Sequence, residues 1–380
     1  MKQEQQSLID NQDISILQHE AIVLLKKLIA IPSFSREENI TADIIENFLQ
    51  SKNVRVERHL NNIWAKNKYY DKTKPTLLLN SHHDTVKPNS GYTTDPFLPL
   101  EKDGKLFGLG SNDAGGCLVS LIATFLYFYN KDNLQYNIVL AASAEEEISG
   151  AHGIESLLEQ ETFKALFNKS EQDNNGEDKN CAIVGEPTQM QMAVAEKGLL
   201  VLDCKAAGKA GHAARNEGQN AIYKAIADIE WIKNYHFEKV SDLLGPVKMS
   251  VTNIETVNKA HNVVPASCSF IVDIRVNELY TFEEIIKTIK SHIESEITPR
   301  STRLRSSSIS LDHPLVTAGL RLGRTYYGSP TTSDKALMNF PALKIGPGFS
   351  ARSHSADEYI FVDEINEGIE LYIKLLNQLL

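Results

Sequence analysis

Residues Thr76–Val86 read TLLLNSHHDTV, an apolar run that ends in two histidines and an aspartate. A short continuous apolar run bounded by polar residues fits a strand buried on both faces, as in a parallel sheet. Its charged tail then lies at the strand's C-terminal end, where open α/β sheets bind their ligands. Three more runs repeat the pattern. NIVLAAS (Asn137–Ser143) leads into AEEEISG, CAIVG (Cys181–Gly185) into GEPT, and ALKIG (Ala342–Gly346) into GPGFSARSH. A fifth segment, GLGSNDAGG (Gly108–Gly116), opens onto an apolar stretch that reads as a buried helix. Five separate segments thus deliver His, Asp and Glu side chains to one rim of the predicted sheet.

Helix-period segments alternate with these runs, so the fold class expected is α/β with a mostly parallel sheet. The amphipathic EINEGIELYIKLLNQLL (Glu364–Leu380) closes it as a C-terminal helix. The very polar stretch Asn168–Asn180 is expected to join a helix to the next strand over the surface. From about Gln191 to Ser308 the pattern changes to strand, helix, two strands, helix and strand. These are GLLVLDCKAAG, NAIYKAIADIEWIKNY, PVKMSVTNIETV, ASCSFIVDIRV, TFEEIIKTIKSHIES and RLRSSSIS. That βαββαβ order is a ferredoxin-like unit inserted into the larger one. The domains expected are therefore 1–190 with 309–380, and 191–308.

The chain has 380 residues, 42% of them hydrophobic, and a formal net charge of −10. It carries no basic stripe interleaved with aromatics, which argues against nucleic acid or an anionic membrane as partner. The N-terminal MKQEQQSLIDNQD lacks the apolar core of a secretory signal, and the longest apolar run, Leu118–Tyr129, is too short to span a bilayer. Cys117, Cys181, Cys204 and Cys268 lie far apart without CxxC spacing and read as core residues of a reducing compartment. A cytoplasmic protein is expected.

On an extended backbone alternate residues share a face, so His82 and Asp84 point together and His83 points away. This suits a metal-binding imidazole whose ring a carboxylate orients. Glu145–Glu147, an acidic triplet just after a buried strand, would repel itself without a cation. One of these glutamates can hold a metal while a neighbour stays free to move protons. Asp113, held between the glycines of GLGSNDAGG, can approach two ions and bridge them. Neutral His82 and His354 with ionised Asp113, Glu147 and Glu186 leave two divalent ions one positive charge, which a bridging hydroxide balances. Nitrogen and oxygen ligands without thiolate suit zinc, or cobalt or manganese.

With the motifs SHHDTV, GLGSNDAGG, SAEEEISG, VGEPT, GKAGHAAR, NVVPASCSFIVDIR and SARSHSADEY in this order, the chain resembles the M20 family of zinc metallohydrolases. That family includes acetylornithine deacetylase, succinyl-diaminopimelate desuccinylase, aminoacylases and peptidases. The resemblance runs from about Leu24 to the C-terminus. It implies that His82 and Glu186 bind one zinc, Glu147 and His354 the other, and that Asp113 bridges them. Asp84 matches the family's histidine-orienting aspartate and Glu146 its general base. The Asp113–Ala114 peptide bond is expected to be cis. The inserted unit matches the family's lid and dimerisation domain. There His212 matches a histidine that stabilises the oxyanion, typically in the partner subunit's site. Asn262 and Arg275 match residues that bind the substrate carboxylate, and Lys197 and Asp334 are further substrate-side candidates. Three positions depart from the usual pattern: Ser81 for Gly, Leu109 for Arg or Thr, and Glu145 for Asp.

The function expected is a di-metal amidohydrolase that deacylates an N-acyl amino acid as a homodimer. N-acetylornithine or N-acetylcitrulline, in arginine biosynthesis, is the first expectation. A dipeptide, a tripeptide or a succinylated amino acid would use the same site. A catalytically dead metal or metabolite binder is the reading of another class, which a damaged site would have favoured.

Overall fold

The computed structural model describes residues 2–167, 179–215 and 217–380, the side chains of 2–12 excepted. Most of the polar stretch Asn168–Asn180 thus lies outside the described residues. By their internal contacts, residues fall into two compact units, Met1–Val194 with Ile309–Tyr327 and Ser333–Leu380, and Ala195–Ser308 with Gly328–Thr332.

In the first unit the strand Thr76–His82 is buried at all seven positions. It pairs in parallel with Asn137–Ser143 on one side and Cys181–Val184 on the other. Cys181–Val184 pairs in parallel with Ala342–Lys344. These four strands form the parallel centre of the sheet. Antiparallel strands flank it: Asn62–Lys66 and Val56–His59 at one side, Met192–Glu196 at the other.

Alternate residues of the central strands feed different cores, as the pleat requires. Leu77, Leu79, Ile138, Leu140, Ile183 and Leu343 pack beneath the helices Lys2–Ile29, Gly116–Tyr129 and Val362–Leu376. Leu78, Val139, Ala141, Ala182 and Ala342 pack on the other face with Ile154, Leu157 and Phe163. Gly116–Tyr129 is buried everywhere except Leu126 and Tyr127, which explains an apolar helix without a polar face. No helix among the described residues is long and apolar enough to cross a membrane. The four cysteines are free thiols and buried.

The second unit carries a four-stranded antiparallel sheet in the order Lys248–Glu255, Ser267–Val276, Gly198–Ala207, Glu296–Pro299. With the helices Ala221–Asn234 and Phe282–Lys290 this is a βαββαβ unit of ferredoxin-like order. Its fourth strand is not where the sequence placed it. RLRSSSIS contributes only Ser307–Ser308, paired with Ala195 and Glu196, whereas Glu296–Pro299 fills the sheet's edge. Pro299 is acceptable there because an edge strand need not donate on both sides.

Candidate metal centre

Each central strand ends in a turn that carries one or two of the site's side chains. His82 is the last residue of its strand, Glu147 follows Asn137–Ser143 through a short turn, Glu186 follows Cys181–Val184, and His354 lies beyond Ala342–Lys344. Two glycines allow the close approach. Gly110 has φ +75°, and a Cβ there would lie 2.6 Å from the Thr85 methyl. A Cβ on Gly346 would lie 2.5 Å from the Glu186 carbonyl oxygen and 2.7 Å from Cys117 Sγ. Glu145 and His354 adopt φ of +53° and +59°, conformations that cost a non-glycine residue energy and cluster at functional sites. The Asp113–Ala114 peptide bond is cis.

The donor atoms converge in two groups, His82, Asp113 and Glu186, and Asp113, Glu147 and His354. Asp113 belongs to both because its two oxygens face different histidines. Oδ1 lies 3.5 Å from His82 Nε2, and Oδ2 lies 3.6 Å from His354 Nε2. Glu186 Oε1 is 3.8 Å from His82 Nε2, and Glu147 Oε2 is 3.0 Å from His354 Nε2. A tetrahedral ion with the usual zinc bond lengths would hold its ligand atoms roughly 3.4 Å apart, so both groups fit a divalent ion. His82 is buried, whereas 55% of the His354 side chain is exposed.

The ring of His82 is fixed from behind. Its Nδ1 lies 3.0 Å from the Asp84 carbonyl oxygen and 3.4 Å from the Asp84 carboxylate. Asp84 follows the end of the strand, so the contact comes from a turn rather than from simple alternation. Its carboxylate accepts the Ser35 hydroxyl at 2.7 Å and the N–H groups of Glu146 and Glu147 at 3.1 Å. His83 points away, with its ring nitrogens 3.0 Å from Thr41 Oγ1 and from the Asn61 carbonyl oxygen. Burial holds its pKa below the ordinary value, so it serves as a neutral packing residue.

Protein electrostatics alone leaves this cluster short of positive charge. Burial pushes Glu146 well above the carboxylate range and Glu186 up to about 8. Burial opposes charge on His82, but Asp113 and Asp84 outweigh it and raise its pKa well above the ordinary value. The hydrogen bond that His354 donates to Glu147 raises His354 to about 9. Cations would relieve these costs and invert the local preferences. Glu146 Oε2 stands 3.9 Å from His82 Nε2 and belongs to neither donor group.

Two supporting residues have no counterpart among the sequence expectations. Buried Glu358 accepts the N–H groups of Gly110, Asn112 and Asp113. Asn112 bonds Phe349 in both directions, accepting its N–H at 2.9 Å and donating to its carbonyl at 3.2 Å. Both residues sit inside motifs noted for their neighbours, and the backbone partners of Glu358 leave no signal for it in the sequence. Asp334, expected on the substrate side, is buried, and its carboxylate accepts the Ser143 hydroxyl at 2.6 Å. Burial pushes its pKa up to about 6.

The remaining candidates lie in the second unit. His212 pairs with Val263 across a short ribbon, and Ala213 N–H donates to the Asn262 carbonyl at 2.9 Å. His212 and Asn262 are thus neighbours, both exposed. The Arg275 fork is held by Asp273 through two bonds of 2.8 and 3.0 Å. Lys197 is buried, and its ammonium donates to the Pro246 carbonyl at 2.6 Å.

Comparison with known proteins follows the same lines. The family model of peptidase family M20/M25/M40 matches residues 78–378. A succinyl-diaminopimelate desuccinylase of Rickettsia bellii is 24% identical over 94% of this chain and 96% of its own length. One of Wolbachia pipientis is 25% identical over 93% and 92%. Among solved structures, an M20 family metallo-carboxypeptidase of Sulfolobus solfataricus superposes with a TM-score of 0.73 at 17% identity, covering 95% of this chain and 99% of that one. A dinuclear metal-binding M20 peptidase of Bacillus subtilis gives 0.67 at 14%, covering 95% and 98%. The two histidine–carboxylate groups joined by one aspartate therefore sit in a hydrolase of amide bonds, and the chain belongs to peptidase family M20/M25/M40.

Proposed function

We propose that this protein is a di-metal amidohydrolase that removes the acyl group of an N-acyl amino acid, and that the acyl group is succinyl. The observation that carries the reaction class is Asp113, whose two oxygens face two separate histidine–carboxylate groups. The succinyl preference rests on the desuccinylases among its relatives. They move N-acetylornithine and N-acetylcitrulline, the first expectation from the sequence, to second place.

In this reading His82 and Glu186 would hold one ion and Glu147 and His354 the other, with Asp113 common to both groups. When bound, zinc, cobalt or manganese would supply a Lewis acid that polarises the amide carbonyl and lowers the pKa of a water towards ~7. Glu146, near both groups but outside them, takes the water's proton and passes it to the leaving amine nitrogen. Its position beside both groups, with Oε2 3.9 Å from His82 Nε2, leaves its carboxylate free for that proton. Asp84 orients His82 and fixes the turn that carries Glu146. Arg275, Asn262 and Lys197 are proposed to bind substrate, and Arg275 would have to exchange Asp273 for a substrate carboxylate, which its fork accepts in the same bidentate way.

His212 is proposed to donate to the developing oxyanion from a second copy of the chain, in a cytoplasmic homodimer. The second unit supports association. Its strand Lys248–Glu255 lies at a sheet edge, and the exposed apolar residues Tyr223, Ile226, Ile254 and Val257 belong to the same unit.

The test is amine release from N-succinyl-diaminopimelate, N-acetylornithine, N-acetylcitrulline and simple dipeptides, with added zinc or cobalt and with chelator. Chelator-sensitive turnover led by the succinylated substrate is the expected result. A lead of tenfold or more by an acetylated substrate or a dipeptide would overturn the succinyl assignment and leave the hydrolytic site in place.

A further inference from the structure

An acid four residues after His354 belongs to neither donor group of the centre, yet it is among the most buried charged residues described. Glu358 is 1% exposed. Its Oε1 accepts the N–H of Asn112 at 2.8 Å and of Asp113 at 2.9 Å, its Oε2 accepts the N–H of Gly110 at 3.2 Å, and its own carbonyl takes the N–H of Gly108 at 3.0 Å. All four donors belong to the turn that presents Asp113. Burying a carboxylate beside another acid is unfavourable, and an apolar residue would avoid the cost. What an apolar residue cannot do is satisfy three converging amides that point away from solvent.

The turn is also fastened on its other side. Asn112, whose N–H is one of the three, grips Phe349 through its side-chain amide in both directions. Phe349 opens the loop that ends at His354. Glu358 and Asn112 therefore tie the segment bearing the shared aspartate to the segment bearing the second histidine through protein atoms alone.

We propose that Glu358 is a positioning residue of the metal centre: by clamping the backbone from Gly110 to Asp113, it aims one Asp113 oxygen at His82 and the other at His354, and so makes Asp113 a shared ligand. The inference rests on the two-ion reading of the site. It concerns the chain's own atoms, since Glu358 itself binds no ion. Without the clamp Asp113 can turn towards one group at the expense of the other, so the second ion to bind suffers most.

The experiment titrates metal-free wild-type, Glu358→Gln and Glu358→Ala protein with Co(II). It follows the number of ions bound, their affinities, the visible spectrum and magnetic coupling between the ions, and then kcat and KM. Wild type is expected to bind two ions; one ion or none there would overturn the two-ion reading itself, before either variant is considered. Glu358→Gln keeps the side-chain volume but turns an NH2 group towards amide donors. It is expected to weaken the second ion by about tenfold or more, to lose the magnetic coupling, and to lower kcat with KM little changed. Two ions bound with wild-type affinity and spectrum in Glu358→Gln would overturn the proposal, even if thermal stability fell. Loss of cooperative folding in Glu358→Gln would overturn it too, because the residue would then serve the fold as a whole. Glu358→Ala is expected to follow Glu358→Gln in the metal readouts.

Discussion

Asp84 holds Glu146 by the backbone: Oδ1 accepts the Glu146 N–H at 3.1 Å, while the same carboxylate lies 3.4 Å from Nδ1 of His82. One buried side chain thus fixes both a metal-facing histidine and the turn that carries the proposed base. Asp84→Asn would present an amide NH2 to backbone N–H donors and remove a negative charge beside His82. Partners of this kind typically contribute about 10–100-fold in metal affinity or activity, and a loss of that size is expected here. Metal titration and steady-state kinetics check it. Wild-type values for both would show that His82 and the Glu146 turn hold their places without the carboxylate.

Glu146→Gln separates proton transfer from metal binding. Glu146 lies outside both donor groups and reaches only to 3.9 Å of His82. The substitution should leave two ions bound and the melting temperature close to wild type, because it removes a buried acid that burial already disfavours. Turnover should fall by about 10²-fold or more, the scale of general acid–base catalysis. Metal analysis alongside kcat decides the matter, and an active variant with two ions would be incompatible with the proposed role.

What could be read from the sequence followed from where the chemistry sits on the chain. His82 ends a buried strand, Glu147 and Glu186 follow two others closely, and His354 lies in the loop beyond a fourth; a parallel sheet gathers such positions at one rim. Glu358 was illegible for the opposite reason. Its partners are backbone N–H groups some 245 residues earlier, and a backbone donor leaves no mark in the residue pattern. The Asp84–His82 contact was anticipated from strand alternation, but the strand stops at His82 and a turn supplies the geometry. The fourth strand of the second unit was misplaced because EITP is short and ends in proline, while RLRSSSIS better matches an alternating strand.

Metal should matter more as pH rises. In the protein atoms alone, the hydrogen bond donated to Glu147 raises His354 from 6.5 to about 9, and burial raises Glu186 from 4.5 to about 8. Both groups bind protons more tightly folded than unfolded. The His354 contribution is therefore complete below 6.5 and is lost as pH climbs through 9. Glu186 adds a cost in the same direction between 4.5 and 8. The chelated protein should melt at falling temperature from about pH 6 to about pH 9, and metal-loaded protein should hold steady, because ions replace those protons. Melting curves with and without chelator would show the gap widening with pH. A constant gap would mean that ion binding does not displace protons from these two groups.

Whether His212 acts on its own chain or on a second copy can be decided by mixing two inactive proteins. Glu146→Gln lacks the proposed base but keeps His212; His212→Ala lacks the proposed oxyanion donor, a loss of about 10²–10³ in kcat for such a group, and keeps Glu146. His212 is exposed on a short ribbon beside Asn262, so its removal should leave the fold intact. If it serves the other subunit of a two-fold dimer, a mixed dimer contains one site with both groups present. Equal mixing after subunit exchange should then restore roughly a quarter of wild-type activity, because half the dimers are mixed and each has one complete site. Action within one chain gives no recovery at any ratio, since no subunit then holds both groups. Light scattering on the same mixtures must show dimers throughout; a monomer with full wild-type activity would remove the second copy from the mechanism altogether.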